Sequence, residues 1–278
     1  MERPPTPPQP RAISPLLIVG IVVLAVAVVF LLWRGTRKPE PVVAEAPPAQ
    51  VQPAPQPVPE PEIRYPIEAV PAEPLQRAEP LPSREESDAA LVEVMTALVG
   101  KAALMEYFIP AELVRRFVTT VDNLPRESLP MRVRAVKATP GAFAVAGPET
   151  ERTIDADNAR RYEPFVRFIE GLDARTLVSI YVHFYPLLRE EYRSLGFPRK
   201  QFNDRVVEAI DDLLAAPEPE EPVALVQPKV MYKFADPELE SLSAGRKIMI
   251  RIGTDNARRL KAKLREMRQV LAGPPATR

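Results

Sequence analysis

The chain has no cysteine. Disulfides, thiolate nucleophiles and cysteine metal ligands are therefore excluded, and cysteine usage selects neither an oxidising nor a reducing compartment. There is one histidine, His183, so no multi-histidine metal centre can be assembled. Glycine is scarce, ten in 278 residues, and none stands in a dinucleotide fingerprint or a phosphate-loop spacing. A serine elbow and a zinc-protease motif are also missing. Nor is there any net charge: 37 basic residues balance 37 acidic ones, which points to no partner.

Proline is what the chain has in excess. There are 35, and 20 of them precede Ser83. Each removes a backbone donor and fixes φ, so a packed core cannot be built at that density. The foldable part is expected over residues 83–273, the size of one ordinary domain.

Residues 16–33, LLIVGIVVLAVAVVFLLW, contain no charge. As a helix they span about 27 Å at roughly 1.5 Å per residue. Fourteen of the 18 are Leu, Ile, Val or Phe, which favours insertion by ~4–8 kcal/mol. Leu16 and Leu17 open the span, Phe30 and Leu31 lie near its end, and Trp33 stands where an interfacial aromatic belongs. A cleaved signal peptide is the competing reading. Its small-residue triplet would have to be Ala25-Val26-Ala27, inside the apolar run, so an uncleaved anchor is expected. Arg3 and Arg11 precede the span while Arg34, Arg37 and Lys38 follow it. By charge alone the orientation is nearly a tie, leaning toward a cytoplasmic C-terminal domain.

Residues 39–82 hold 14 prolines among Ala, Val, Glu and Gln. Such a stretch favours polyproline II, with a reach of about 130 Å at about 3.1 Å per residue. Within it Ile63, Tyr65 and Ile67 form an apolar cluster, either incidental to the linker or a candidate to dock on the domain or in a partner's groove, with Tyr65 and Ile67 as interaction residues. The expected organisation is a polar tail (1–15), a transmembrane helix (16–33), a proline-rich disordered linker (34–82), a mainly helical domain (83–273) and a flexible tail (274–278).

The fold class expected is mainly α, with the single transmembrane helix, the linker and one compact helical domain carrying a small β-hairpin. Ser83 and Glu86 have capping-box spacing, and Gly100 stands where a helix should end. Leu113, Val114, Phe117, Val118, Val121 and Leu124 recur at threes and fours, with Pro110 in the first turn. Alternation over 131–136 and a turn at Thr139-Pro140-Gly141 predict the hairpin, burying Met131, Val133 and Phe143. A helix is expected from Asp155 or Asp157 to Glu170. A longer one, capped by Asp173, should run to Gly196 and supply the central stripe of Leu177, Tyr181, Phe184, Leu188, Tyr192 and Leu195, with a kink at Pro186. Asn203 is read as the cap of a helix with Val206, Val207, Ile210, Leu213 and Leu214 inside. A short strand is read over 229–234. Over 237–253 Leu239 and Leu242 suggest helix while Ile248, Ile250 and Ile252 suggest strand, with helix favoured, and a last helix capped by Thr254 completes the chain.

Few residues suggest chemistry. His183 lies on the polar face of the long helix and reads as a half-exposed surface histidine. Asp204, Glu208, Asp211 and Asp212 form an acidic row, weak candidates for a divalent cation and more simply a solvated face. Asp211 and Asp212 fall near a helix C-terminus, where the dipole disfavours anions, which calls for cationic neighbours. Residues 245–278 supply them: ten basic residues against Asp255 and Glu266. Among these, Arg258, Arg259, Lys261 and Arg265 could meet an acidic partner, anionic lipid or nucleic acid. Internal pairing with the 204–221 acidic segment, or a plain solvated face, is the favoured reading. No aromatic is interleaved with these charges, so nucleic acid is a poor fit. No cofactor is expected.

The blocks FVTTVDNLP (117–125), PGAFAVAG (140–147), FYPLLREEY (184–192), FNDRVVEAIDDLLAAPEP (202–219) and LVQPKVMYKFADPELESLSAGRK (225–247) resemble a bacterial family known as domain of unknown function three-zero-one-four. The resemblance covers about 65–278. It implies an N-terminal anchor, a proline-rich linker and a helical C-terminal domain in a Gram-negative envelope, and it supplies no activity or catalytic residue. The expected setting is the inner membrane, single-pass, with the C-terminal domain periplasmic, or alternatively cytoplasmic. Lipid bilayer and an envelope protein are the expected partners of a tethered interaction or scaffold module. An envelope enzyme working through Asp122, Asp204 or Asp211 is the alternative, with a binder of nucleic acid or anionic lipid as a third reading.

Overall fold

The computed structural model describes residues 63–71, 81–83 and 86–272. The expected transmembrane helix, with Leu16, Leu17, Phe30, Leu31 and Trp33, lies outside the described residues, as do both expected tails and most of the linker. Among the described residues no helix is long and apolar enough to cross a membrane.

The body is mainly helical. The Ser83 hydroxyl donates to the Glu86 carboxylate at 2.9 Å, but Ser83 is not the helix cap its spacing predicts: α1 (Ser87–Val99) begins only after Glu86. Gly100 ends α1 at φ 80, a left-handed conformation that only glycine adopts cheaply, and α2 (Lys101–Tyr107) restarts at once. Next, α3 (Leu113–Asn123) begins beyond Pro110 rather than at it. Glu112 takes φ 53, and Asp88 of α1 accepts the Val114 N–H at 2.9 Å, capping α3 from a neighbouring helix.

The hairpin expected over 131–146 does not form there. Met131–Val133 is a 3-10 turn, and Met131 is exposed. Side chains of α3 brace this segment: Arg116 Nη1 donates to the Arg132 carbonyl at 2.6 Å, and Thr120 Oγ1 accepts the Ala135 N–H at 3.0 Å. Only an isolated antiparallel bridge forms here, Val136 with Phe108, where the Ala135 carbonyl accepts the Ile109 N–H at 2.9 Å and the Lys137 N–H donates to the Tyr107 carbonyl at 2.8 Å; the alternation therefore marks one strand contact and no hairpin. Strand pairing occurs instead in two small antiparallel ladders, β1 (Val145–Ala146) with β2 (Thr153–Ile154) and β3 (Leu225–Val226) with β4 (Lys233–Phe234). The strand expected over 229–234 shrinks to β4, and Val230 and Met231 are exposed before it.

The single helix expected over 157–170 is two, α4 (Asp157–Arg160) and α5 (Glu163–Glu170). Asp173 caps α6 (Ala174–Ser194) as expected, accepting the Thr176 N–H at 2.7 Å, and α6 stays helical through Pro186. Phe184, Leu188 and Tyr192 are buried, with Tyr181 and Leu195 packed at the edge of the same core. Then come α7 (Phe202–Leu214), α8 (Pro237–Ser241), α9 (Ala244–Arg251) and α10 (Thr254–Ala272). The expected 237–253 helix is interrupted at Leu242, and Ser243 caps α9 by accepting the Arg246 N–H at 3.1 Å. Thr254 is the first residue of α10 rather than its cap, its hydroxyl donating to Glu221 at 2.9 Å.

Helix α6 packs on α3 and α10, and α7 packs on α3, α9 and α10. The main core lies between them. It also takes in Val70, which is buried, together with Tyr65 and Ile67. A strap of residues 63–71, inside the expected linker, thus packs on the helical body, one of the placements its apolar cluster offered.

Candidate functional site

The strap is seated by its backbone. The Asp204 carboxylate, in the first turn of α7, accepts the N–H of Tyr65 at 2.8 Å and that of Arg64 at 3.3 Å. Asn203 Nδ2 donates to the Tyr65 carbonyl at 2.9 Å, and Asn203 Oδ1 accepts the Tyr181 hydroxyl at 3.0 Å. Asn203 is fully buried. It is not the helix cap its sequence position suggested. It reads the main chain of a segment far away in sequence, because every polar atom buried there needs a partner. Burial pushes the Tyr181 phenol well above its ordinary value, with Tyr185 and Asp204 adding to the effect. Beyond Tyr65, a 3-10 turn over Ile67–Ala69 brings Val70 into the core. Burying a side chain of that size contributes roughly 1.5–3 kcal/mol.

Beside this seat opens a polar concavity of about 450 Å³, between the strap, the end of α3, the α6–α7 loop and the start of α7. Its floor is an arginine clamp. Asp122 is buried, and Arg126 grips it from four residues on, with Nη2 to Oδ2 at 2.8 Å. Arg205 of α7 reaches the same carboxylate, Nε to Oδ1 at 3.1 Å, and also donates to the Asp122 carbonyl. Its Nη1 meets Glu208 at 2.9 Å. A buried carboxylate shared by two guanidiniums ties α3 to α7, and removing one member would leave charge unpaired in a poorly solvated place. Burial, with Asp122 next in weight, pushes the Tyr192 phenol on the same wall up to about 12. Arg64, Arg199 and Lys200 complete the rim, and Lys200 Nζ lies 5.4 Å from the Phe197 ring centroid.

The acidic row is dispersed rather than convergent. Asp204 holds the strap and Glu208 pairs with Arg205. Asp211 pairs with Arg268, while Asp212 meets Arg246 at 2.8 Å and accepts the Ser243 hydroxyl at 2.5 Å. These are the cationic neighbours that the helix C-terminus called for. No group of three or more His, Asp or Glu residues suited to a metal ion occurs among the described residues. Asp122 and Asp204, two suspects for carboxylate chemistry, do line the same concavity, but each is occupied by hydrogen bonds of its own.

Much of the basic C-terminal segment is also engaged within the body. Arg258 pairs with Glu218 at 2.9 Å and Arg259 with Glu170. Lys261 is buried, its Nζ donating to the Ala216 carbonyl at 2.7 Å and to Glu218 at 3.1 Å. Arg265 is exposed. Hydrogen bonds from Arg258 and Lys261 hold the Glu218 carboxyl below its ordinary value, and Arg259 does the same to Glu170. His183 is half-buried, edge-on to the Phe184 ring.

The rim cations Arg126, Arg199 and Lys200 escaped sequence reasoning. The Asp122–Arg126 pair has the i,i+4 spacing that could have revealed it. Arg199 and Lys200 stand together between two helices, a weaker signal.

The sequence model of a family described as protein of unknown function (DUF3014) matches residues 113–268. No curated protein and no solved structure matches the chain.

Proposed function

Because the chain belongs to the family of proteins of unknown function DUF3014, a membership that carries no activity with it, we propose a role built on attachment. The protein is a membrane-tethered module of the bacterial envelope whose helical body engages a protein partner. One observation carries this reading: the strap that follows the proline-rich stretch is seated on Asn203 and Asp204, so the tether meets the body at a fixed point on α7. Tension or orientation is then delivered to a helix packed on α3, α9 and α10 rather than to a loose end. The uncharged run 16–33 serves as the anchor. The 24 residues of 39–62 reach about 75 Å if extended as polyproline II, which lifts the body clear of the bilayer. That length suits a body on the periplasmic face of the inner membrane.

The test is fractionation of cells expressing the full chain. Retention in the membrane pellet through alkaline carbonate, release by detergent, and digestion of the body by protease added to the outside of spheroplasts are the expected results. Recovery of the intact chain in the aqueous fraction would overturn the anchor. Protection of the body until the inner membrane is lysed would reverse its side.

A further inference from the structure

The rim of the concavity carries more positive charge than the body uses. Five cations and three carboxylates line it, a surplus of two positive charges. Arg126 and Arg205 are committed to Asp122, and Glu208 is committed to Arg205. Asp204 spends its oxygens on strap N–H groups. Arg64, Arg199 and Lys200 have no carboxylate partner among the described residues. All three are exposed at the rim of a space of about 450 Å³, within the usual range for a small-ligand site.

We infer that this concavity binds a dianionic group, held between Arg64 on the strap and Arg199 and Lys200 on the α6–α7 loop, and that its binding fastens the strap to the body. The two-charge surplus matches one phosphate group or a pair of neighbouring carboxylates, and guanidinium groups suit both geometries. A higher polyanion would meet Asp204 and Glu208 on the same wall. Because Arg64 belongs to the strap while Arg199 and Lys200 belong to the loop, the ligand draws on both pieces at once. Linkage then requires that a ligand favouring the seated strap also be bound more tightly when the strap is seated. The inference concerns the body and holds whether or not residues 16–33 anchor the chain.

The experiment is calorimetric titration of the full chain in detergent micelles at fixed ionic strength. The probes are inorganic phosphate in one arm and an N-acetylated, C-amidated glutamyl-glutamate dipeptide in the other. Saturable binding of either probe is expected, weakened at least about tenfold, equivalent to the loss of about 1.4 kcal/mol, in the Arg199→Gln, Lys200→Gln double variant. Both positions are exposed, so the variant should keep the native circular dichroism spectrum. Asn203→Ala, which substitutes none of the rim cations, should also weaken binding by loosening the strap that carries Arg64. Phosphate alone saturating identifies a phosphate-bearing ligand, and the dipeptide alone identifies an acidic peptide. No saturable binding of either probe, or equal binding by the folded double variant, would overturn the site. Undiminished binding by Asn203→Ala would overturn its coupling to the strap.

Discussion

Asn203 and Tyr65 meet across 138 positions of sequence, the buried amide of one donating to the main-chain carbonyl of the other at 2.9 Å. Truncating Asn203 to Ala leaves that carbonyl and the Tyr181 hydroxyl without their partner, a loss on the order of 1–3 kcal/mol. The strap should therefore open more often, by roughly tenfold for each 1.4 kcal/mol lost. Trypsin provides the readout, since Arg64 is exposed while the peptide bond after it is tied down at Asp204. Cleavage after Arg64 should accelerate in Asn203→Ala well before the body is digested. Equal cleavage rates in the two chains would show that the strap is not held by this bond.

The same bond shows what a linear reading can see. The stripes of α3 and α6 were legible because burial of one helix face repeats every three to four residues. Gly100 and Asp173 were legible because helix ends need a particular φ or a side-chain acceptor. Asn203 was misread for the opposite reason: a cap and a long-range backbone receptor use the same amide, and only tertiary contact decides between them. Residues 131–136 alternate like a strand, yet they bridge only at Val136, to Phe108, while Arg116 and Thr120 of α3 take up the Arg132 carbonyl and the Ala135 N–H. The acidic row and the basic C-terminus were visible as patches. Their meaning, pairing of Asp211 with Arg268 and of Asp212 with Arg246, depends on α7, α9 and α10 meeting in space. The concavity itself draws on four segments, so no single stretch of sequence announces it.

Asp122 is expected to be the most sensitive charged position. Asp122→Asn keeps the shape and removes the charge shared by Arg126 and Arg205. Two guanidiniums would then face one another at a buried amide, at a cost on the order of 3 kcal/mol. For a body of this size that lowers Tm by about 6–12 °C. Adding Arg205→Gln should recover part of the loss, because the two positions are coupled and their effects do not add. Differential scanning calorimetry of the two single variants and the double variant checks this, and strict additivity would mean that the clamp contributes nothing as a unit.

Gly245 lies where α9 approaches α7 and the end of α3. A Cβ placed there would come within 2.8 Å of Leu213 Cδ2 and 3.1 Å of the Leu124 carbonyl oxygen. The Gly245 N–H donates to that same carbonyl at 2.8 Å, so the backbone cannot simply withdraw. Gly245→Ala should destabilise the body by about 1–3 kcal/mol through overpacking, even though Ala is the better helix former. Urea unfolding should show a lower midpoint with an unchanged slope. A midpoint at or above that of the parent would mean that α9 shifts away without penalty.

Stability should fall at both ends of the pH range, for different residues. Arg259 depresses the carboxyl of Glu170, and Arg258 with Lys261 depresses that of Glu218, both from an ordinary value of 4.5. Their contribution is fully present above pH 4.5 and is lost as pH falls through the depressed values, because the unfolded chain takes up those protons first. At the other end, burial raises Tyr192 from 10.0 to about 12. The folded chain holds that proton more tightly, so its contribution is complete below pH 10 and disappears as pH rises through 12, a change on the order of 2 kcal/mol. Tyr192→Phe keeps the buried ring that stacks on Phe197 and removes the titrating hydroxyl. Thermal unfolding followed from pH 3 to pH 12 should show a smaller alkaline loss in Tyr192→Phe with the acid limb unchanged. Glu218→Gln should shallow the acid limb and leave the alkaline one alone. If both variants followed the parent at both ends, neither group would be the source of the pH dependence.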